Sequence, residues 1–182
     1  MKVVKTDFEG LIIIEGAYHE DARGSFTEVY NKKMMNQAGI LSDFVQDNFS
    51  HSVYGTIRGL HFQKGDFAQA KLVKVFRGKV LDIVVDLREN SPTYLKSFSI
   101  ELSDVNRRQL FIPRGFAHGF VVISQEADFF YKCDNFYNSF SEAGIIYNDK
   151  TLNICWGIPE DEIIISEKDL NLPTLVDYLE HK

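Results

Sequence analysis

Short apolar runs recur along the chain and are separated by turn signals such as RG, REN, SD and PRG. About a dozen short strands at such spacing predict an antiparallel sandwich or barrel. One run, KVLDIVVDL, alternates as a strand does, with two aspartates on one face and aliphatic residues on the other. Its aspartates are Asp82 and Asp86, and its aliphatic face holds Leu81, Ile83, Val85 and Leu87. The other runs are GLIII, SFTEVY, DFVQD, KLVKVF, SFSIEL, QLFIP, GFVVIS, DFFYKC and GIIY.

Helical patterns are confined to two stretches. NKKMMNQAG begins with a capping Asn31 and ends at Gly39, which predicts one short helix. In the tail SEKDLNLPTLVDYLEHK, Ser166 is a second cap, and Pro173 must fall between two helical pieces or begin the second one. The apolar residues at helical spacing in this tail are Leu175, Tyr178 and Leu179. The expected fold is mainly β with a few short peripheral helices.

Length and composition favour a single domain over residues 1–182. The chain has 182 residues, of which 45% are apolar and 25% are charged, as is ordinary for a folded domain with a sizeable core. Its net charge of −6 argues against the broad basic face that nucleic-acid binding needs. The two cysteines, Cys133 and Cys155, have no CxxC spacing and are expected to be reduced thiols.

The chain carries no sign of a membrane segment or a secretion signal. No apolar run approaches the roughly 20 residues needed to span a bilayer. Charges at Lys5, Asp7 and Glu9 interrupt the start, MKVVKTDFEG, so it lacks the apolar core of a signal peptide. The expected location is the cytoplasm.

The stretch TIRGLHFQ inserts Arg58, His61 and Gln63 into an apolar run. In a regular strand Arg58 and His61 would point to opposite faces. Gly59 lies between them and is a plausible site for a β-bulge, which could bring both side chains to one face. A lone histidine in a strand is more often structural than catalytic, so this pattern alone does not establish a site.

The stretch FIPRGFAHGF contributes a second histidine in a defined setting. Pro113, Gly115 and His118 have the spacing P-x-G-x-x-H, which predicts a tight turn followed by the strand GFVVIS. This pattern resembles the second signature of the cupin superfamily, whose members are small β-barrels with a ligand cavity at the mouth. The first cupin signature normally has H-x-H, but His61 is followed by Phe62 and Gln63 here, and the downstream Lys71 would repel a metal. We therefore expect a cupin-type antiparallel β-barrel or jelly roll without a metal or other cofactor.

Nine motifs occur in the order found in dTDP-4-dehydrorhamnose 3,5-epimerases, and the chain resembles that family from about residue 7 to residue 173. They are DARGSFTEVY, QDNFSHS, IRGLHFQ, AKLVKVFRGKVLDIVVDLR, SPTY, FIPRGFAHGF, YKCDNFY, YNDKTLNICW and SEKDLNLP. The resemblance implies a cofactor-independent isomerase that converts dTDP-4-keto-6-deoxy-D-glucose to dTDP-4-keto-L-rhamnose, an intermediate in cell-surface polysaccharide synthesis. It also implies a homodimer.

The chemistry of this reaction explains the residue types that the resemblance implies. The C4 ketone acidifies the protons on C3 and C5, so inversion needs a base on one face, an acid on the other and a cation near the enolate oxygen. The resemblance implies His61 as the base and Asp169 as the carboxylate that orients it. It implies Tyr131 as the acid, and Lys71 as the cation beside the C4 oxygen, together with His118.

Recognition of the nucleotide calls for further residues. The resemblance implies Arg23 and Arg58 at the diphosphate and the substrate, since arginine suits bidentate contact with phosphate, and Lys168 is a further candidate. It implies that Tyr137 stacks on the thymine ring. The polar residues implied to line the nucleotide and the sugar are Glu28, Gln46, Asp47, Asn48 and Glu142. For Asp82 and Asp86, a salt bridge with Arg88 and a role beside His118 both remain open.

Three single positions depart from the family pattern, and NFYNSFSEAG also lacks the common proline after its second aromatic residue. Cys133 stands where the family usually has Thr, Tyr147 where it has Trp, and Gly157 where it has Pro. We expect these changes near the nucleotide end of the cavity, where they bear on base and sugar preference. The alternatives are an epimerase acting at only C3 or only C5 or on another nucleotide-sugar, a metal-dependent cupin oxygenase, and a non-catalytic binding module.

The N-terminal run GLIIIEG has little charge to discourage pairing with another chain. It precedes the DARGSF segment that the resemblance directs toward substrate. We therefore expect N-terminal segments to cross between two subunits, so that Arg23 or Glu28 supports a neighbouring site. In the alternative, LIII folds back on its own sheet and the protein is a monomer.

Overall fold

A computed structural model describes residues 2–181, which form short antiparallel strands with a few helical turns. The strands are β1 Lys2–Lys5, β2 Ile12–Glu15, β3 His19–Asp21, β4 Gly24–Phe26, β5 Gln46–Val53, β6 Ile57–Gln63, β7 Lys71–Arg77, β8 Lys79–Asp86, β9 Ser97–Ser103, β10 Arg108–Ile112, β11 Phe116–Val122, β12 Glu126–Cys133 and β13 Glu142–Gly144. The α-helices are α1 Lys32–Gln37, α2 Glu167–Leu170 and α3 Leu175–Glu180, and Gly65–Phe67 and Glu160–Glu162 are 3-10 turns.

Two antiparallel sheets face each other across the main core. One has the strand order β1-β2-β10-β7-β12-β5, and the other has the order β13-β6-β11-β8-β9. Side chains from both sheets meet in the central cluster, where Val73 and Phe129 of the first sheet pack with Val84 and Phe120 of the second. Strands β3 and β4 form a separate hairpin. The expectation of a mainly β, cupin-type antiparallel barrel or jelly roll is confirmed.

Strand β8 has the alternation that KVLDIVVDL predicts. Ile83 and Val85 pack in a second apolar cluster on the outer side of their sheet, together with Leu175 of α3. The opposite face carries Asp82 and Asp86, both fully buried. Because both faces of β8 are covered, its two carboxylates must find partners inside the protein.

Three predicted strands are shorter than the apolar runs indicate. In SFTEVY the strand ends at Phe26, and the Thr27 hydroxyl then donates to the Ala17 carbonyl as the chain turns toward α1. In DFVQD the strand begins only at Gln46. In GIIY the strand ends at Gly144. Two residues later, the Ile146 N–H donates to the Pro173 carbonyl rather than to a neighbouring strand.

The predicted helix ends are confirmed. Asn31 caps α1 by accepting from the Met34 N–H at 3.3 Å, and Gly39 follows the helix with a φ of +83°. Ser166 caps α2 through the Asp169 N–H at 3.1 Å. Pro173 falls between α2 and α3, as one of the two expected arrangements requires. No helix within residues 2–181 is long and apolar enough to cross a membrane, and the cytoplasmic location stays a prediction.

The run LIII lies within its own sheet. Strand β2 pairs with β1 on one side and with β10 on the other, so this run does not present a free edge. The placement of LIII therefore agrees with the alternative in which this run folds back on its own sheet. This placement does not decide the number of subunits. The hairpin β3–β4 is the N-terminal part that stands apart, with every residue exposed.

Candidate active site

A cavity of about 920 Å³ opens between the two sheets. The residues expected to carry the chemistry line it: Arg58, His61, Lys71, His118, Tyr131 and Asp169. A second cavity of about 310 Å³ shares His61, Lys71 and Tyr131 and extends to Tyr137 and Glu142. The shared side chains therefore lie where the larger cavity meets the second one, which extends toward the aromatic loop after β12 that carries Tyr137.

A β-bulge at Gly59 brings Arg58 and His61 to the same cavity. His118 of β11 pairs with His61 of β6, but Phe120, two residues on, pairs with Arg58, three residues back. A Cβ atom at position 59 would lie only 2.5 Å from the Gly119 Cα. The φ of Gly59, +132°, also favours glycine at this position. The predicted bulge is confirmed.

His61 is held by Asp169, which comes from α2. The His61 Nε2 and Asp169 Oδ1 are 2.8 Å apart, and the Gly59 backbone N–H donates to the other carboxylate oxygen at 3.2 Å. Burial acts to raise the pKa of Asp169, but hydrogen bonding and charge from His61 outweigh it, and the net shift is downward. An ionised carboxylate only accepts hydrogen bonds, so the His61 Nε2 carries a proton and its Nδ1 is available as a base.

Lys71 and Tyr131 come from the opposite sheet. They lie on the neighbouring strands β7 and β12, and the Lys71 Nζ is 5.9 Å from the centre of the Tyr131 ring. Burial lowers the pKa of Lys71, which has no ion-pair partner among residues 2–181. Burial also raises the pKa of Tyr131, so its phenol keeps its proton at neutral pH. The cavity thus has a histidine imidazole on one wall and a protonated tyrosine phenol on the other.

The two aspartates of β8 take the two roles that the sequence left open. Asp82 accepts from the His118 Nε2 at 2.9 Å, and its other oxygen has no partner among the described residues. Asp86 instead forms an ion pair with Arg88 at 2.8 Å. Burial lowers the pKa of His118 despite the nearby Asp82, which favours the neutral imidazole.

At the second cavity, one carboxylate joins an aromatic loop to α2. The Tyr137 hydroxyl donates to Glu142 at 2.8 Å, and the Lys168 Nζ donates to both oxygens of the same carboxylate at 2.7 Å. The side chain of Gln46 accepts from the Tyr137 N–H at 3.1 Å and donates to Asn48. These five expected residues therefore lie together.

Three expected binding residues are engaged elsewhere. Asp47 lies at the cavity, but its carboxylate pairs with Lys132 at 2.8 Å. Arg23 pairs with Asp21 in the hairpin and lines a separate cavity there, and Glu28 accepts from Asn31. Neither Arg23 nor Glu28 lines this chain's own cavity, and the expectation that they support the site of a neighbouring subunit stays a prediction.

Strand β5 contributes two residues, Ser50 and Ser52, that sequence reasoning missed. Its alternate positions, Gln46, Asn48, Ser50 and Ser52, form a polar row along the cavity. Ser52 accepts from the Arg58 Nε at 3.0 Å and so fixes the guanidinium. The signal was present in QDNFSHS, where small polar residues recur with a period of two beside exposed Asp47 and Phe49.

Of the three single positions that depart from the family pattern, Tyr147 and Gly157 lie away from the cavity. Cys133 does line the second cavity, and burial raises the pKa of its thiol to about 11. Tyr147 packs in the second apolar cluster, and Gly157 has a φ of +74°, which proline cannot adopt. The expectation that all three bear on the nucleotide is wrong for Tyr147 and Gly157. Both cysteines are free, with Cys133 buried and Cys155 exposed.

The donor set does not form a metal site. Within residues 2–181 no three His, Cys, Asp or Glu side chains are grouped as metal ligands would be. His61 and His118 each bind a separate aspartate, and Lys71 lies at the same cavity. The absence of a metal or other cofactor from the working protein stays a prediction.

An antiparallel sandwich with a cavity between its sheets, lined by the histidines of two His–Asp pairs, defines a cupin-like protein. The family model described as dTDP-4-dehydrorhamnose 3,5-epimerase matches residues 5–177, and the chain belongs to that family. The enzyme of that name from Shigella flexneri is 46% identical to it and is aligned over 97% of each chain.

Solved structures agree with this assignment. The dTDP-4-dehydrorhamnose 3,5-epimerase of Elizabethkingia anophelis is 54% identical, with a TM-score of 0.92 and 97% of each chain covered. The dTDP-6-deoxy-D-glucose-3,5-epimerase of Legionella pneumophila, solved with dTDP-4-keto-L-rhamnose, is 43% identical, with a TM-score of 0.91, and the match covers 96% of this chain and 93% of that one.

Proposed function

We propose that this protein is a cofactor-independent epimerase that converts dTDP-4-keto-6-deoxy-D-glucose to dTDP-4-keto-L-rhamnose. The observation that carries the proposal is the position of His61 and Tyr131 on facing sheets of one cavity. Inversion at carbon requires proton removal from one face and proton delivery to the other. Family membership and the named ligand of the Legionella relative support the choice of substrate.

The reaction begins with proton removal by His61. Its Nδ1 takes a proton from C3 or C5, and the electrons of the C–H bond move to the C4 oxygen to form an enolate. Asp169 stabilises the resulting imidazolium through Nε2. Tyr131 then delivers a proton to the opposite face of the same carbon. Exchange with water returns the proton to Tyr131 and removes the one held by His61.

We assign stabilisation of the enolate oxygen to Lys71 rather than to Lys71 and His118 together. A neutral His118 that donates Nε2–H to Asp82 has only an acceptor left at Nδ1. It is therefore suited to accept from a sugar hydroxyl and not to donate to an oxyanion. Burial lowers the pKa of Lys71, but the nearby charges of Asp82 and Glu142 favour its ammonium form, which lies at the cavity where the enolate charge would develop.

Incubation with the substrate in deuterated water tests this function. Deuterium at both C3 and C5, together with a rhamnose-configured product, is the expected result. Deuterium at one carbon alone would mean a single-position epimerase. Binding of dTDP without deuterium at either carbon would mean a nucleotide-sugar-binding protein, and a turnover abolished by a chelator would contradict the cofactor-free mechanism.

We further propose that two copies pair so that the β3–β4 hairpin of one reaches the cavity of the other. The hairpin carries Phe26 at 70% exposure, and Arg23 has no contact with its own cavity. Exposed aromatic and cationic side chains suit a nucleotide that enters from outside the sandwich. Light scattering tests the pairing, since full activity at a mass near 20.9 kDa would contradict it.

A further inference from the structure

Gln63 occupies the position at which the first cupin signature has its second histidine. It lies two residues after His61 on β6, so both side chains extend from the same face of the strand, and both line the second cavity. Gln63 is buried, and a buried amide needs hydrogen-bond partners inside the protein. Its partner therefore indicates what this position does in a chain without the H-x-H pair.

The side-chain oxygen of Gln63 holds the aromatic loop after β12 at the residue that follows Tyr137. The Asn138 N–H donates to the Gln63 Oε1 at 2.9 Å. On the other side, the N–H of Tyr137 itself donates to the Gln46 Oε1 at 3.1 Å. Because a peptide group is planar, these two bonds fix the peptide groups on both sides of the Tyr137 Cα. The position of the Tyr137 ring at the second cavity therefore depends on both glutamines.

The aromatic side chains of this loop do not hold it in place by packing. Each is more than half exposed: Phe136, Tyr137 and Phe140. Hydrogen bonds to the end of β6 attach the loop instead, since the Lys64 N–H also donates to the Ser141 carbonyl at 2.8 Å. Lys64 directly follows Gln63, so both bonds come from one place in the sheet. Only the bond to Gln63 acts on the peptide group next to Tyr137.

We infer that Gln63 is a positioning residue for nucleotide binding: by accepting from the Asn138 N–H, it holds the Tyr137 ring where a nucleobase stacks on it. The inference rests on the proposed function, because it takes the base of a dTDP-sugar to be the group that meets Tyr137. Loss of the Gln63 oxygen leaves the Asn138 N–H without its acceptor and lets the ring turn away from the base. The effect falls on binding of the base rather than on proton removal, since the bonds between Asp169 and His61 do not involve this loop.

The test compares Gln63→Met, which removes the oxygen and keeps the length of the side chain, with Gln63→Glu, which keeps an acceptor and removes the donor. Gln109→Met is the matched control, because Gln109 is also buried and lines neither of the two cavities. Calorimetry measures the Kd for dTDP and the Kd for pyrophosphate, which lacks the base. For Gln63→Met we expect the Kd for dTDP to rise about tenfold, with the Kd for pyrophosphate within about twofold of wild type.

Turnover and the glutamate variant sharpen this comparison. In Gln63→Met the KM for the dTDP-sugar should rise, while deuterium exchange at saturating substrate stays within about twofold of wild type. Gln63→Glu adds a negative charge that weakens the binding of both anions, so the ratio of its two Kd values should match that of wild type. The control should match wild type in every measurement.

Exchange of the Asn138 amide hydrogen, followed by NMR in the ligand-free protein, gives a readout that does not depend on activity. This hydrogen should be protected in the wild type, in Gln63→Glu and in the control, and should lose its protection in Gln63→Met. An amide that stays protected in Gln63→Met would overturn the inference. Unchanged affinity for dTDP in that variant would overturn it as well, as would equal losses for dTDP and pyrophosphate.

The glutamate variant also separates positioning from direct contact. Gln63 lines the second cavity, so its Nε2 could donate to the base directly. A loss of affinity for dTDP beyond that for pyrophosphate in Gln63→Glu, with the Asn138 amide still protected, would show such a contact and overturn the positioning role. If the wild type binds dTDP but exchanges no deuterium into the substrate, the proposed function fails, and the Kd values and the Asn138 amide still decide the role of Gln63.

Discussion

His61 and His118 lie opposite each other on the paired strands β6 and β11, and each binds an aspartate through Nε2. The two pairs differ in their surroundings. The His61 side chain is 29% exposed and its aspartate has both oxygens satisfied, whereas His118 is 8% exposed and one oxygen of Asp82 has no partner among the described residues. The same two residue types thus form a partly exposed pair and an enclosed pair, and the role of base proposed for His61 belongs to the more exposed one.

This difference shows that a His–Asp contact does not by itself identify a base. A histidine acts as a base only if its surroundings stabilise the imidazolium form. Water does this, and so does an ionised carboxylate whose oxygens both accept hydrogen bonds. Asp169 meets this condition because the Gly59 N–H and the Ser166 cap hold it in place beside His61. His118 stacks on Phe129 and is almost fully buried, so a charge on its ring is costly.

The largest expected effect comes from removing the base. We expect His61→Ala to lower turnover by more than about 10³-fold, because no other group in the cavity is assigned to abstract the proton. Its affinity for dTDP, measured by calorimetry, should stay near that of wild type, since the nucleotide contacts come from other residues. Near-normal turnover would mean that the two histidines have been assigned the wrong way round, and His118→Ala is the control for that outcome.

The next effect separates the acid from the base. Tyr131→Phe keeps the ring and its packing against Phe129, and loses only the hydroxyl. We expect inversion to fall about 10²-fold while deuterium exchange at carbon continues, because His61 still removes the proton. Mass spectrometry of recovered substrate measures exchange, and chromatography measures inverted product. Equal loss of both would show that Tyr131 is not a dedicated acid.

A matched pair of aspartate variants compares the two His–Asp contacts directly. Asp169→Asn should lower turnover at least about tenfold, because the imidazolium of His61 loses its stabilising charge. Asp82→Asn should have a smaller effect, since an amide oxygen still accepts the Nε2–H of a neutral His118. Equal losses in turnover would contradict the distinction drawn between the pairs.

The sequence predicts the elements of this site better than its contacts. Periodicity indicated β8, and a glycine between two polar residues indicated the bulge at Gly59. Asp82 and Asp86, by contrast, look alike in the alternation of β8. Their partners are set by what lies next to each: β11 brings His118 to Asp82, whereas the turn after β8 brings Arg88 to Asp86.

Other contacts depend on segments far apart in the chain and have no local signal. The ion pair between Lys168 and Glu142 joins residues 26 positions apart, and the hydrogen bond from Arg58 to Ser52 depends on the bulge between β6 and β11. The pairing of His61 with Asp169 joins residues 108 positions apart and was available only through resemblance to a family. For the hairpin β3–β4, the sequence predicted part of the strands but not the position of the hairpin outside the sandwich.

The smallest expected effect on turnover comes from Asp86, which shares a strand with Asp82 but supports only the scaffold. Burial acts to raise the pKa of Asp86, but hydrogen bonds from Arg88, Ser91 and Thr93 outweigh it and bring the pKa down to about 2. A carboxylate whose pKa is lowered by folding stabilises the protein above its unfolded pKa of about 4, and this contribution is lost as the pH falls through the folded value. Asp86→Asn should therefore lower the free energy of unfolding by about 2 kcal/mol at pH 7 and by progressively less between about pH 4 and pH 2, with turnover unchanged at pH 7. Urea titrations across this pH range measure the difference, with Asp82→Asn as the control on the same strand. A difference that stays constant down to pH 2, or a loss of turnover at pH 7, would mean that Asp86 does more than hold the turn.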